Sequence, residues 1–101
     1  MKTRIVNKYK HSFDVYIGRG SKWGNDWSHK EGTKAKFKTK TVEESIEKYR
    51  EWITQGNENG DGRHLLNDLH ELKGKTLGCY CVPGPCHGDV LIELVNRFCH
   101  E

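Results

Sequence analysis

Eleven residues, Cys79 to Asp89, narrow the possibilities for this chain more than any other stretch. They read Cys-Tyr-Cys-Val-Pro-Gly-Pro-Cys-His-Gly-Asp and hold three of the four cysteines, one of the six histidines and both prolines. Cys79 and Cys81 lie two apart, so on a strand their side chains share a face. Pro83-Gly84-Pro85 then forces a turn that can swing Cys86 and His87 back toward the first two thiols. A helical pattern follows at once, with Leu91, Leu94, Val95 and Phe98 on one face and Asp89 in the first turn, where a negative charge suits the helix dipole. The stretch therefore predicts a strand, a tight loop and a helix start, with soft ligands gathered at the loop.

Zinc takes thiolate and imidazole ligands in a tetrahedron. Cys79, Cys81 and Cys86, with His87 as the fourth ligand, supply such a set within nine residues. The Cys-x-Cys-x4-Cys-His spacing is not that of the common zinc fingers, and adjacent Cys86 and His87 can both ligate only if the backbone bends there. His11, His29, His64, His100 and Cys99 stand as alternative fourth ligands. Two other readings of the cysteines remain open. They can pack as small buried hydrophobes, or Cys86, beside a helix N-terminus that lowers thiol pKa, can be a reactive thiol.

At 101 residues with 34% hydrophobic content, the chain predicts one domain, residues 1–101, with a modest core that a bound metal would help to stabilise. No apolar run approaches the roughly 18 residues of a membrane span, which predicts no membrane association. Met1-Lys2-Thr3-Arg4 leads into no apolar segment of the secretory kind, which predicts a cytoplasmic protein whose cysteines are reduced or metal-bound. The net charge of +3 hides an asymmetry: residues 1–40 carry 11 Lys/Arg against three Asp/Glu, whereas residues 41–101 carry six against 11. A basic first part suggests a phosphate-bearing partner, although the run Lys34-Ala35-Lys36-Phe37-Lys38-Thr39-Lys40 alone also reads as a solvated loop.

Taken in order, Thr3–Asn7 reads as a short strand and Asp14–Gly18 as a second, β-branched and aromatic, with Lys8 to Phe13 as a hairpin connection between them. Arg19 to Lys40 has no clean period and reads as a long loop, which in a compact domain points to function or disorder. Thr41 and Glu44 form a capping-box pattern ahead of a helix carrying Val42, Ile46, Tyr49 and Ile53, with Trp52 flanking, that ends at Gln55-Gly56. A second helix carries Leu65, Leu66, Leu69 and Leu72 and stops at Gly74. Thr76 to Cys81 is the third strand. The order β-β-α-α-β-α predicts a small α/β or α+β domain, a short three-stranded sheet packed with about three helices.

Gly18-Arg19-Gly20-Ser21-Lys22 follows a strand and offers backbone N–H groups, a hydroxyl and two cations, a composition suited to phosphate. It is not a P-loop, because the glycine–lysine spacing and the immediate helix are missing. Trp23 beside it reads either as a base-stacking ring or as core, and Asn25 completes the candidate ligand set Arg19, Ser21, Lys22, Trp23 and Asn25. If the second and third strands are parallel, this loop and the cysteine loop open on the same sheet edge. Arg19, Ser21, Lys22 and Asn25 would then face His87 and Asp89, either of which can act as acid or base if chemistry occurs and His87 is not spent on a metal.

The segments Val15-Tyr16-Ile17-Gly18-Arg19, Ser21-Lys22-Trp23-Gly24-Asn25, Gly74-Lys75 and Gly78-Cys79 through Gly88-Asp89-Val90-Leu91 resemble a family of small phage and bacterial proteins described only as a domain of unknown function. Its shared segments are V-Y-I-G-R-x-S-K-W-G-N and G-C-x-C-x-P-x-x-C-H-G-D-V-L. Gly20 and Asp26 stand where prolines are common in that family. The resemblance implies a phage or prophage setting, hence the host cytoplasm, and supplies no activity. The residues themselves point to a zinc-holding domain that binds a nucleotide or nucleic acid and acts on it if it is an enzyme. The alternatives are a non-catalytic module directed at a host protein and a reactive-cysteine protein. Salt-dependent oligonucleotide binding would favour the first reading, and a stable complex with one host protein the second.

Overall fold

Three short parallel strands, each β-branched or apolar on one side, meet at the centre of the molecule. The computed structural model describes residues 2–18, 20–28, 37–58, 60–79 and 86–99. β1 (Arg4–Asn7) and β2 (Val15–Tyr16) flank the later strand β5 (Thr76–Cys79), giving the order β1-β5-β2. Both pairings with β5 are parallel, with Ile5 opposite Leu77, Val6 opposite Gly78 and Tyr16 opposite Gly78. The expected mixed α/β architecture is therefore present, but the hairpin over Lys8–Phe13 is not. Because β5 inserts between β1 and β2, all three run the same way and residues 8–14 must return across the sheet. Lys8 N–H donates to Cys79 O, and Asp14 N–H donates to Thr76 O on the way back. Phe13 lies over Gly78 during this crossing. A Cβ at Gly78 would sit 2.5 Å from the ring, so only glycine lets the connection pass so close.

The segment read as a long loop contains two two-residue strands, β3 (Trp27–Ser28) and β4 (Phe37–Lys38), paired in parallel. Strands this short leave no alternation to detect in sequence. Trp27 is buried, stacks on Phe37 at 5.2 Å and meets Trp52 edge-on at 6.2 Å, so the aromatic contacts hold what the backbone pairing alone would not.

α1 (Val42–Thr54) starts as its sequence predicts, with Thr41 Oγ1 accepting from Glu44 N–H. The reciprocal half of the box is displaced by one residue: Glu44 accepts from Lys40 N–H, not Thr41 N–H. Tyr49 and Ile53 are its fully buried residues. The second expected helix is a 3-10 helix, Arg63–Glu71, whose turns close from residue i to i−3, as in Leu65 N–H to Gly62 O and Leu72 N–H to Leu69 O. Leu65, Leu69 and Leu72 still reach the core. The last helix, α2 (Gly88–Phe98), buries Val90, Leu91, Leu94 and Val95, whereas Phe98, placed by periodicity on that face, is 55% exposed because the helix ends beside it.

α2 packs on the inner sheet face, which carries Ile5, Ile17 and Leu77, and its first turn touches the sheet directly. A Cβ at Gly88 would lie 2.6 Å from Ile5 Cδ1 and 2.7 Å from Ile17 Cδ1. Gly88→Ala is therefore expected to lower stability by about 1–3 kcal/mol through overpacking, read as a lower denaturant midpoint at constant slope. An unchanged midpoint would mean that the helix start tolerates a shift away from the sheet.

Candidate metal centre

The carboxyl end of β5 and the start of α2 bring together two of the expected thiols and the imidazole. Cys79 is the last residue of β5, and its neighbours Leu77 and Gly78 are held on both sides by β1 and β2. Cys86 and His87 immediately precede α2 and are 2% and 6% exposed. The ligand atoms of Cys79, Cys86 and His87 all lie within 4.8 Å of one another. The sulfurs of Cys79 and Cys86 are 3.0 Å apart, well beyond the ~2.05 Å of a disulfide. His87 Nδ1 lies 3.8 Å from Cys86 Sγ. Tetrahedral zinc with Zn–S near 2.3 Å and Zn–N near 2.0 Å separates two sulfurs by about 3.8 Å and a sulfur and nitrogen by about 3.6 Å. The imidazole thus stands at ligand spacing already, and the two thiols would spread by about 0.8 Å to take the ion.

The other face of His87 fixes which nitrogen can ligate. Nε2 is 2.7 Å from Ile17 O, and a carbonyl only accepts, so Nε2 carries the proton and donates. In the neutral ring Nδ1 then presents its lone pair toward the sulfurs. A backbone carbonyl receiving the second N–H is the arrangement that orients ligating histidines in metal sites. Gly88 N–H points at Cys86 Sγ at 3.4 Å and favours the thiolate. Tyr49 closes one side, its ring edge-on to His87 at 5.0 Å and its hydroxyl donating to Trp23 O at 2.8 Å. Burial first, and the negative charge that Cys86 carries as a thiolate second, push the Tyr49 phenol far above its ordinary range, so it stays neutral.

Ile17 and Tyr49 join the centre without having been singled out for it, and no local spacing marks them, because their contacts with His87 are long-range. Gly88, inside the Cys79–Asp89 stretch, adds its N–H to Cys86 Sγ two residues away. Asp89, expected as an acid or base beside His87, is exposed and its carboxylate accepts from Cys86 N–H at 3.4 Å in the first turn of α2. Among the alternative ligands, His11 and His64 are exposed and Cys99 is half-buried. Cys81, Arg19, His29, His100, the Pro83-Gly84-Pro85 turn and the lysines at 34 and 36 lie outside the described residues.

The remaining members of the candidate phosphate loop serve the fold. Trp23 is 2% exposed and lies in the core, which leaves no ring face for a base. Asn25 is buried, with Nδ2 donating to Ser45 O and Oδ1 accepting from Trp27 N–H. Ser21 Oγ donates to Gly18 O. Lys22 lies over Trp23 and reaches Asp68 at 3.1 Å and Glu71 at 2.7 Å, tying the loop to the 3-10 helix. Its hydrogen bond to Glu71, then the carboxylate of Asp68, raise its pKa. β2 and β5 are parallel, and the chain leaving β2 meets His87 through Ile17 O.

Among the described residues no helix is long and apolar enough to cross a membrane. The family model described as "Domain of unknown function (DUF4326)" matches residues 2–97. A protein of Enterobacteria phage T4, described as "Uncharacterized 12.4 kDa protein in nrdA-td intergenic region", is 38% identical over 94 residues, which cover 93% of this chain and 78% of the phage protein. "Uncharacterized protein R718" of Acanthamoeba polyphaga mimivirus is 34% identical over 109 residues, covering 90% of this chain and 73% of its own length. No solved structure matches.

Proposed function

Because the chain belongs to the family described as a domain of unknown function (DUF4326), whose description carries no activity, we propose a function from the site itself. This phage-type domain holds one Zn²⁺ through Cys79, Cys86 and His87, with Cys81 as the fourth ligand, and the ion ties the central strand to the last helix. The observation that carries this reading is the split duty of His87: Nε2 is committed to Ile17 O while Nδ1 lies 3.8 Å from Cys86 Sγ, whose sulfur is 3.0 Å from that of Cys79. Without a metal the same face would take a hydrogen bond from the Cys86 thiol, and metal analysis separates the two. Three cysteines and one histidine close the coordination sphere, which is the pattern of structural zinc rather than of a site with an open catalytic position.

Metal analysis of protein purified without chelator is expected to find one zinc per chain, and Co²⁺ substitution is expected to give the visible spectrum of tetrahedral thiolate coordination. Protein free of metal, with a cysteine that alkylates quickly at neutral pH, would replace this reading with the reactive-thiol one. Nucleotide or nucleic-acid binding at the same edge keeps two supports, the +8 balance of residues 1–40 and the shared edge of β2 and β5. The described loop residues Ser21, Lys22, Trp23 and Asn25 add none.

A further inference from the structure

The sheet face opposite α2 carries a surface of a different character. Residues 8–14 cross this face, and their side chains combine exposed rings with cations. Tyr9 is 77% exposed and Phe13 39%. Phe13 and Tyr16 stand 6.5 Å apart at 47°, so each offers its own ring face. Lys8 Nζ lies 5.1 Å from the Tyr9 ring and 4.7 Å from the Tyr16 ring. Arg4 reaches across the face to Thr76 Oγ1, and Lys10 is exposed at the tip of the connection. The one acidic side chain in the crossing, Asp14, accepts from Thr76 N–H.

We propose that this aromatic and basic face binds single-stranded nucleic acid, with Tyr9 and Phe13 stacking on bases and Arg4, Lys8 and Lys10 lying along the phosphates. Rings flanked by cations on a sheet face are what unpaired bases on a charged backbone require. Lysine is depleted from protein–protein interfaces, which argues against a protein as the occupant. Helices that read a duplex groove are basic, whereas the described helices present acidic residues: α1 exposes Glu43, Glu44 and Glu47, and α2 exposes Asp89 and Glu93. This surface is the sheet face opposite α2 and meets the Cys/His cluster only through the backbone, where Lys8 N–H donates to Cys79 O; it goes beyond the metal reading.

The test is fluorescence anisotropy with a labelled 20-nucleotide oligo(dT) and a matched duplex. Wild type is expected to bind the single strand in preference to the duplex and to weaken as salt rises. Tyr9→Ala should weaken binding at least about fivefold while Tyr9→Phe retains it. Lys8→Gln with Lys10→Gln should lower the salt slope by about 1.4. Tyr9 is so exposed that its loss leaves the fold intact, and zinc content measured on the same preparations checks this. No saturable binding by wild type at low salt, equal binding by Tyr9→Ala, or a preference for duplex would each overturn the proposal. Oligo(dT) binding by a protein found without zinc would support this proposal while removing the metal reading.

Discussion

Stripping the metal is expected to unfold the whole domain. Structural zinc in small domains contributes apparent binding free energies of about 10–16 kcal/mol at neutral pH, while a domain of this size has a total stability of about 5–15 kcal/mol. The ligand positions explain why the loss would be global. Cys79 ends the central strand, Cys86 and His87 begin the helix that covers the sheet, and His87 also holds the chain leaving β2. A strong chelator should therefore abolish the cooperative thermal transition, and added Zn²⁺ should restore it. Cys86→Ser should copy the chelated state and resist rescue. If the chelated protein keeps its cooperative melt within a few degrees of the untreated one, the ion is not part of the fold.

Leu77→Ala should cost about 2–5 kcal/mol even with the metal in place. Leu77 is 0% exposed at the middle of β5, pairing with Ile5 on one side and Val15 on the other. Truncating it leaves a cavity under α2 that rigid neighbouring strands cannot close. At about 4–8 °C per kcal/mol for a domain near this size, the melting temperature should fall by roughly 8–40 °C. The drop should appear at unchanged zinc stoichiometry, because Leu77 contributes no ligand atom and Cys79, Cys86 and His87 are untouched. A change below about 1 kcal/mol would mean that the core here relaxes fully.

These two effects rest on different kinds of information. The helix at Val42–Thr54 was legible because its cap and its apolar period are both local, and both appear in the structure. The third strand and the last helix were legible for the same reason, as was the gathering of Cys79, Cys86 and His87, since a strand end, a turn and a helix start leave little else for that spacing to do. The second helix kept its leucines but tightened to 3-10 geometry, a difference that side-chain spacing at three and four residues cannot resolve.

What only the tertiary structure decided depends on partners distant in the chain. Residues 8–13 read as a hairpin until β5 inserts between β1 and β2, and nothing near them announces a strand some 60 residues later. Trp23 and Asn25 have the composition of a ligand loop, yet Tyr49 and Ser45 of α1 claim them for the core through bonds spanning 26 and 20 residues. Local sequence set the main helices and the three sheet strands and which side chains have soft, metal-like chemistry, because periodicity, caps and turns act over a few residues. The assignment of each side chain to core, centre or surface required packing, because burial and hydrogen-bond satisfaction are settled only when segments far apart in sequence compete for the same space.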